Sequence, residues 1–545
     1  MNNKIYKNKA VLTAFVNTVF LFIYAFVVSG LYYETNDDAT LSNIANGAYG
    51  PETQNLIYIN IWFSYLIKIM HQFMPGINFV VLLQMIVMFI SIWTIITIII
   101  KKYNNIYGMI MSNLLFFPFA TELISKFQYV KTSTIIIIAG LMIIAVNLSK
   151  NNIKLWGGYI LVIFGCRIRF ESFIAAGALS AFTLLMYFFK LEEKQKIVAV
   201  KQMVILFILV FSLEGINSLY YTKNPQWAEY TAYNKARTNL TDYKENYIPL
   251  YFNDVINRGF SENDVHLIYS GNYFDNTFFD TETINIAADS IGKKPVKDII
   301  ADYLHIVINL FINVNEKFYK IGFILSIILL FTCKRESFIY RFGTMTMFAL
   351  LLLYLMTVNR FMSRIEAMMV IAATVNVAMC YAPAEIKNIK MSTISGITVI
   401  LIILLSLPVQ LQYRKGKHNS YVEASTKYED IVQDMSAQKE NLYLFDSVQT
   451  DYFAGYDVFT PRGVDFFSNI CPTGSWYSNS IYTNRVLERF NIESPLIDSV
   501  NRSDIFISNE HIDLKLKYVQ EHYNENVYAV KVTENGLCDY QFKMN

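Results

Sequence analysis

Long apolar blocks separated by short polar stretches fill the first three quarters of the chain. Residues 11–31, 77–100 and 391–411 each approach or exceed the ~20 apolar residues that span a bilayer. Read by that length rule, with short and tilted helices admitted, the pattern predicts about eleven spans. They lie near 10–31, 77–100, 106–124, 130–148, 155–168, 172–189, 199–221, 318–333, 340–357, 364–382 and 391–411. Two further apolar stretches carry a different pattern. In 55–74, Asn60, Ser64, Lys68 and His71 recur every three or four positions and make one polar stripe, with Ile59, Trp62, Phe63, Leu66 and Ile69 elsewhere on the helix. Over 302–316, Asp302, His305, Asn309 and Asn313 repeat that stripe. Such helices suit the plane of the membrane interface rather than its core, and neither is counted as a span.

Beyond residue 412 the pattern changes. Apolar residues come in short runs, Leu442-Tyr-Leu-Phe445 and Ile505-Phe-Ile507 among them, and 527–532 alternates like a strand. Segments 428–439 and 512–522 have helical periodicity. A small α/β domain of about 130 residues is the natural reading. The expected fold class is therefore mainly α: a polytopic transmembrane helical bundle over 1–411, with outer loops at 32–76 and 222–317, followed by an outer-face soluble α/β domain over 412–545.

Composition agrees with this pattern. The 545 residues are 54% hydrophobic and 17% charged, where a soluble domain carries roughly 25% charge. A net charge of +2 without a basic block speaks against a nucleic-acid partner. The first apolar run is long and lacks a small-residue cleavage site, so it reads as a retained anchor. With a cytoplasmic N-terminus, inner loops hold Lys4, Lys7, Lys9, Lys101, Lys102, Lys150 and Lys154 among others, and inner cations outnumber outer ones by roughly two to one. Multi-pass insertion in the cell membrane with the C-terminal domain outside is the expected topology. Arg414, Lys415 and Lys417 run against it, directly after the last span on the outer side. Cys471 and Cys538 share the outer domain, where an oxidising compartment would let them pair. Cys166, Cys333 and Cys380 fall in or beside spans as small apolar residues, and no Cys or His spacing suits a metal.

Candidate chemistry begins just past the first span, at Asn36, Asp37 and Asp38. Their loop, 34–52, contains acids but no Lys or Arg. Adjacent carboxylates beside a membrane are costly unless solvated, paired or bound to a cation. Leu41, Ile44 and Ala45 start an amphipathic turn, so Asn36 or Asp37 suits a helix cap. One cap uses one side chain and leaves the other acid for chemistry.

On the Asp37–Asp38 pair, the interfacial helix after it, the span count and the outer C-terminal domain, the chain resembles the GT-C class of membrane glycosyltransferases. That resemblance implies an outer-face enzyme that takes a sugar from a polyprenyl-phosphate carrier and transfers it to a cell-envelope glycan, with Asp37 and Asp38 as the catalytic pair. The chain is also similar to a group of multi-pass membrane proteins of Gram-positive bacteria. Asp37–Asp38 with Gly47, Arg237 to Asp242, Gly259-Phe-Ser-Glu-Asn-Asp264, Gly474-Ser-Trp476 and Asn491-Ile-Glu-Ser-Pro495 carry that likeness. It implies a bacterial envelope protein and no activity.

The chemistry sets its own demands. Sugar transfer needs a base for the acceptor hydroxyl, or a metal to neutralise the departing phosphate. Asp37 and Asp38 fit either role, as base and orienter or as ligands of a divalent cation such as Mg or Mn. The leaving phosphate needs cations at the outer surface, and Arg holds phosphate oxygens in a bidentate fork. Arg167 and Arg169, in Cys166-Arg-Ile-Arg-Phe-Glu171, lie at an outer hairpin end; snorkelling to lipid headgroups or pairing with Glu171 is the plainer alternative. Arg360 and Arg364 occupy a similar turn, with Glu366 as a local partner. Lys126 and Lys131 read as interface anchors, and Glu122 and Glu214 as intramembrane acids. Asp446, Asp451, Asp457 and Trp476 are weaker candidates for glycan contact. The absence of Trp-Trp-Asp argues against transfer to protein asparagine, and no phosphate-cradling glycine loop occurs. A polysaccharide polymerase and a lipid-linked glycan flippase or transporter are the competing functions. The latter lacks visible repeats or midplane helix breaks.

Overall fold

The computed structural model describes residues 2–51, 53–103, 105–273, 275, 277–312, 318–331, 335–381, 389–447, 449–450 and 457–544. Helix α1 (Asn2–Ser29) leads through strand β1 (Tyr32–Tyr33) to α2 (Asn36–Ala45) and α3 (Ile61–Phe73). The bundle continues with α4 (Phe79–Tyr103), α5 (Asn105–Phe116), strand β2 (Lys126–Phe127), α6 (Tyr129–Asn147), α7 (Ile153–Ile168), α8 (Phe170–Phe188) and α9 (Glu193–Lys223). A helical loop follows: α10 (Pro225–Arg237), α11 (Phe252–Ile256), α12 (Glu262–Tyr269), α13 (Thr281–Ser290) and α14 (Val296–Asn309). Then come α15 (Lys320–Phe331), α16 (Arg335–Thr357), α17 (Ser363–Cys380) and α18 (Ile389–Ala437).

Seven helices among the described residues are long and apolar enough to cross a membrane: Lys9–Ser29, Phe79–Tyr103, Tyr129–Asn147, Phe170–Phe188, Glu193–Lys223, Arg335–Thr357 and Ser363–Cys380. Each coincides with an expected span. The other four expected spans take different forms. Segment 106–124 breaks after α5 into a 3-10 turn at Phe117–Phe119, around Pro118, and a π turn at Thr121–Ser125. Helices α7 and α15 have only 16 and 12 residues. Helix α7 packs closely on α6: a Cβ on Gly140 of α6 would fall 2.6 Å from the Gly158 carbonyl oxygen of α7, so only glycine permits this approach. Segment 391–411 is part of the 49-residue α18, which runs on to Ala437 without a break at 412 and absorbs the helix expected at 428–439.

The amphipathic segments also start elsewhere than expected. Helix α3 begins at Ile61 because Asn60 caps it, its side chain accepting from Trp62 N at 3.1 Å and donating to Glu214 of α9 at 3.0 Å. Helix α14 begins at Val296 and has no buried residue. Residues 313–317, where the second stripe ends, lie outside the described residues.

The chain closes in a five-stranded sheet of order β4–β3–β5–β7–β6, from β3 (Leu442–Asp446), β4 (Ile470–Thr473), β5 (Ile505–Ile507), β6 (Val527–Lys531) and β7 (Tyr540–Met544). Strand β3 is parallel to β4 and β5, and β7 is antiparallel to β5 and β6. Helices α19 (Ile481–Arg489) and α20 (Ile512–His522) complete the domain. Cys471 and Cys538 are buried free thiols and do not pair. Cys471 belongs to β4, whereas the Cys538 thiol faces the Leu444 carbonyl of β3 at 3.6 Å. Cys333 lies outside the described residues.

A short parallel pairing, Tyr32↔Lys126 and Tyr33↔Phe127, fastens the first loop to the α5–α6 connection. Beneath it lies a ladder of charges. Lys131 reaches Glu34 at 2.8 Å and Glu122 at 3.1 Å, Lys126 reaches the same acids at 2.9 and 3.5 Å, and Arg414 pairs with Glu122 at 2.6 Å. Lys131 and Glu122 are almost wholly buried. Lys126 and Lys131 are thus structural ion-pair partners rather than interface anchors. Arg414, the cation at odds with the charge bias, has its partner inside the protein.

Candidate functional site

The two acids after the first span lie on neighbouring positions of α2, about 100° apart around a helix of ~3.6 residues per turn, and they diverge. Helix α2 starts at Asn36, one residue earlier than a cap at Asn36 and two earlier than a cap at Asp37 would require. Asn36 instead donates to Thr450 at 2.7 Å. Asp38 points inward and is 2% exposed. Its Oδ1 accepts from Tyr129 N, the first residue of α6, at 3.0 Å, and its Oδ2 accepts from the Thr35 hydroxyl at 2.9 Å. Asp38 thereby satisfies a helix-start N–H that α6 cannot satisfy itself. Burial pushes its carboxyl up to about 8, against the opposing pull of those two donors.

Asp37 points the other way, into a cavity of about 290 Å³. The ends of several elements meet there: Tyr129 begins α6, Arg169 lies between α7 and α8, Arg360 lies in the α16–α17 turn and Arg364 in the first turn of α17. The long loop adds Arg237 and Asp242, and the first loop adds Tyr58. Ser447 follows β3 directly, and Ser475, Trp476 and Tyr477 follow β4. The sheet therefore presents the carboxyl ends of two parallel strands, the usual ligand-facing edge of such sheets.

Four guanidiniums and two carboxylates line this space. Asp242 is shared, at 2.8 Å from Arg237 and 2.9 Å from Arg360. Arg169 pairs with Glu171 at 2.8 Å and lies over the rings of Tyr58 and Tyr129, 5.6 and 5.9 Å from their centroids. Arg364 has no ion-pair partner among the described residues, and neither has Asp37, whose Oδ1 accepts from Trp476 Nε1 at 2.8 Å. The cavity thus combines a carboxylate that is in no direct ion pair among the described residues with guanidinium groups, of which Arg169 is within coulombic reach of it.

Several expected site residues lie elsewhere. Arg167 does not line the cavity: it is buried, 3.3 Å from Glu214, and donates to the Val210 carbonyl at 3.2 Å. Glu171 is 69% exposed and touches the cavity only through Arg169. Asp446 is buried beside Lys515 and His511, at 3.5 and 3.3 Å. Asp457 closes its own turn onto Phe459 and Thr460, and Asp451 is outside the described residues. Tyr58, Arg237, Asp242 and Tyr477 carried no chemical signal on their own, although the Arg237–Asp242 stretch and Gly474-Ser-Trp476 stand out in the sequence. A through-space group of Asp264, Glu521 and His522 also forms, but Asp264 is already engaged in the capping box of α12.

No family model and no curated protein matches the chain. Among solved structures it is similar to ArnT from Cupriavidus metallidurans bound to undecaprenyl phosphate, at 9% identity and a TM-score of 0.37, over 98% of this chain and 97% of that one. At that distance, what this chain does has to be read from its own side chains.

Proposed function

We propose that the chain is an outer-face glycosyltransferase that moves a sugar from a polyprenyl-phosphate carrier to a cell-envelope glycan, with the N-terminus cytoplasmic. The observation that carries this reading is Asp37: a carboxylate without a cation partner among the described residues, facing arginines with donors to spare. In the proposed reaction Asp37 takes the proton of the acceptor hydroxyl while that oxygen bonds to the anomeric carbon. The bond from that carbon to the phosphate oxygen breaks, and the phosphate leaves with the electron pair. Arg364 and Arg169 hold its oxygens as negative charge grows there. The phosphate of a membrane-held carrier lies at the lipid surface, and the first turns of two apolar helices, at Tyr129 of α6 and Arg364 of α17, line the cavity.

We further propose that arginine, rather than Mg or Mn, does this electrostatic work. Magnesium favours about six oxygen ligands in near-octahedral array, usually including one or two carboxylates. Asp38 is turned away and Asp242 is shared by two arginines, so Asp37 alone remains of the expected ligand pair. Chelation with EDTA is expected to leave transfer unchanged.

The test uses the purified protein in proteoliposomes containing polyprenyl-phosphate-linked hexoses, with cell-wall polysaccharide outside. Release of free polyprenyl phosphate with labelled glycan is the expected result. Binding of the donors without release, from every hexose tried, would overturn the reading.

A further inference from the structure

We infer that Trp476, from the C-terminal domain, is the positioning residue that orients the Asp37 carboxylate for proton transfer; this rests on the sugar-transfer reading above. The indole Nε1 lies 2.8 Å from Asp37 Oδ1, and among the described residues no other side chain hydrogen-bonds to that carboxylate. With Oδ1 engaged, Oδ2 is left as the atom that can accept a proton. An indole N–H is a donor only. It fixes the carboxylate without competing for the proton, which a hydroxyl in its place would do.

The indole is itself held firmly. It is 5% exposed, stacks on Tyr477 with centroids 4.0 Å apart, and meets Tyr58 edge-on at 6.0 Å. Its backbone carbonyl accepts from the Tyr230 hydroxyl at 3.0 Å. The preceding turn is pinned to the long loop, where Ser475 N donates to the Gly271 carbonyl at 3.0 Å. Gly474 takes φ +83°, and a Cβ there would fall 2.4 Å from the Gly271 oxygen, so this approach requires glycine. Asp37 follows the first span and Trp476 lies 439 positions later. The acid is therefore oriented only when the C-terminal domain is seated on the bundle.

The experiment measures transfer in the same proteoliposomes for Trp476→Phe, Asp37→Asn and the double variant. Loss of a hydrogen bond to a charged group predicts a kcat for Trp476→Phe lower by about 10- to 100-fold. Donor KM should stay near wild type, and Trp476→Phe should cost nothing further in the Asp37→Asn background. Should the phenylalanine variant misfold, benzothienylalanine at 476 keeps the bicyclic ring without the N–H and should show the same kcat loss. A normal kcat with raised KM, or an additional loss in the double variant, would reduce Trp476 to a wall of the cavity. Should Asp37→Asn itself transfer at the wild-type rate, Asp37 is not the base and this inference falls, whereas absence of transfer by the wild type would overturn the sugar-transfer reading itself.

Discussion

Two clusters of charge lie side by side at the same end of the helix bundle and are built on opposite plans. Around Glu122, two acids and three cations interlock, and each carboxylate has at least two cations within salt-bridge distance. Around Asp37, the carboxylate and Arg364 both lack an ion-pair partner among the described residues. Burying charge is tolerated where partners and hydrogen bonds repay desolvation. The ladder meets that condition and serves as a rivet between the first loop, the α5–α6 connection and α18. The cavity meets it only in part: Asp242, Arg237, Arg360 and Arg169 are paired, whereas Asp37 and Arg364 have no ion-pair partner among the described residues. Intramembrane or membrane-edge charge is informative only once its partners are counted.

Breaking the rivet should produce the largest change in stability. Lys131→Met leaves Glu34 and Glu122 short of a buried partner, and removing one side of a buried pair costs about 3–5 kcal/mol. Thermal unfolding in detergent should show that loss, whereas a transition at the wild-type temperature would mean that the ladder holds nothing together.

On the cavity side, Arg364→Ala should leave unfolding unchanged and weaken the donor instead. A lost charge-assisted hydrogen bond of about 1.5–3 kcal/mol corresponds to a donor KM raised about 10- to 100-fold. Arg167→Ala makes the matching control: its partner is Glu214, so donor KM should not move. Equal effects from the two arginines would erase the distinction between cavity and scaffold.

A further effect concerns pH. The folded protein holds the Asp38 carboxyl at about 8 against an ordinary 3.8, so folding binds a proton between those values. The contribution to stability is greatest below the lower value and is lost as pH rises toward the upper one. Asp38→Asn cannot titrate; its amide oxygen keeps the acceptor for Tyr129 N, and its amide nitrogen would donate to the Thr35 oxygen in place of accepting from that hydroxyl. Relative to this variant, wild type should lose thermal stability steadily from pH 5 to pH 8. Parallel curves would mean that Asp38 is ionised throughout.

Much of the bundle was legible because a span is a local property, a run of about 20 apolar residues. Seven helices fall on expected positions, whereas the break near Pro118 and the continuation of α18 past 412 went unseen. Apolar runs on either side of a proline look alike whether or not the helix survives it. The site was legible only in part. Asp37, Arg169, Arg360 and Arg364 stand out by residue type and position beside span ends, and all four line the cavity. What separates Asp37 from Asp38 is not local. One is decided by Trp476 and the other by Tyr129, contacts 439 and 91 positions away that adjacent aspartates cannot announce. Arg167 and Arg169 diverge for the same reason, since Glu214 claims the first from a neighbouring helix.

The most direct measurement is the transfer rate of Asp37→Asn beside that of Asp38→Asn, with unfolding temperatures for both. A base facing the cavity and a carboxyl anchoring α6 predict different outcomes. Asp37→Asn should lose about 100-fold or more in kcat, the scale of general-base catalysis, while unfolding as wild type does. Asp38→Asn should transfer within a few-fold of wild type near pH 7. A normal rate from Asp37→Asn, or loss of transfer in a stable Asp38→Asn, would contradict the assignment of Asp37 as the catalytic acid–base group.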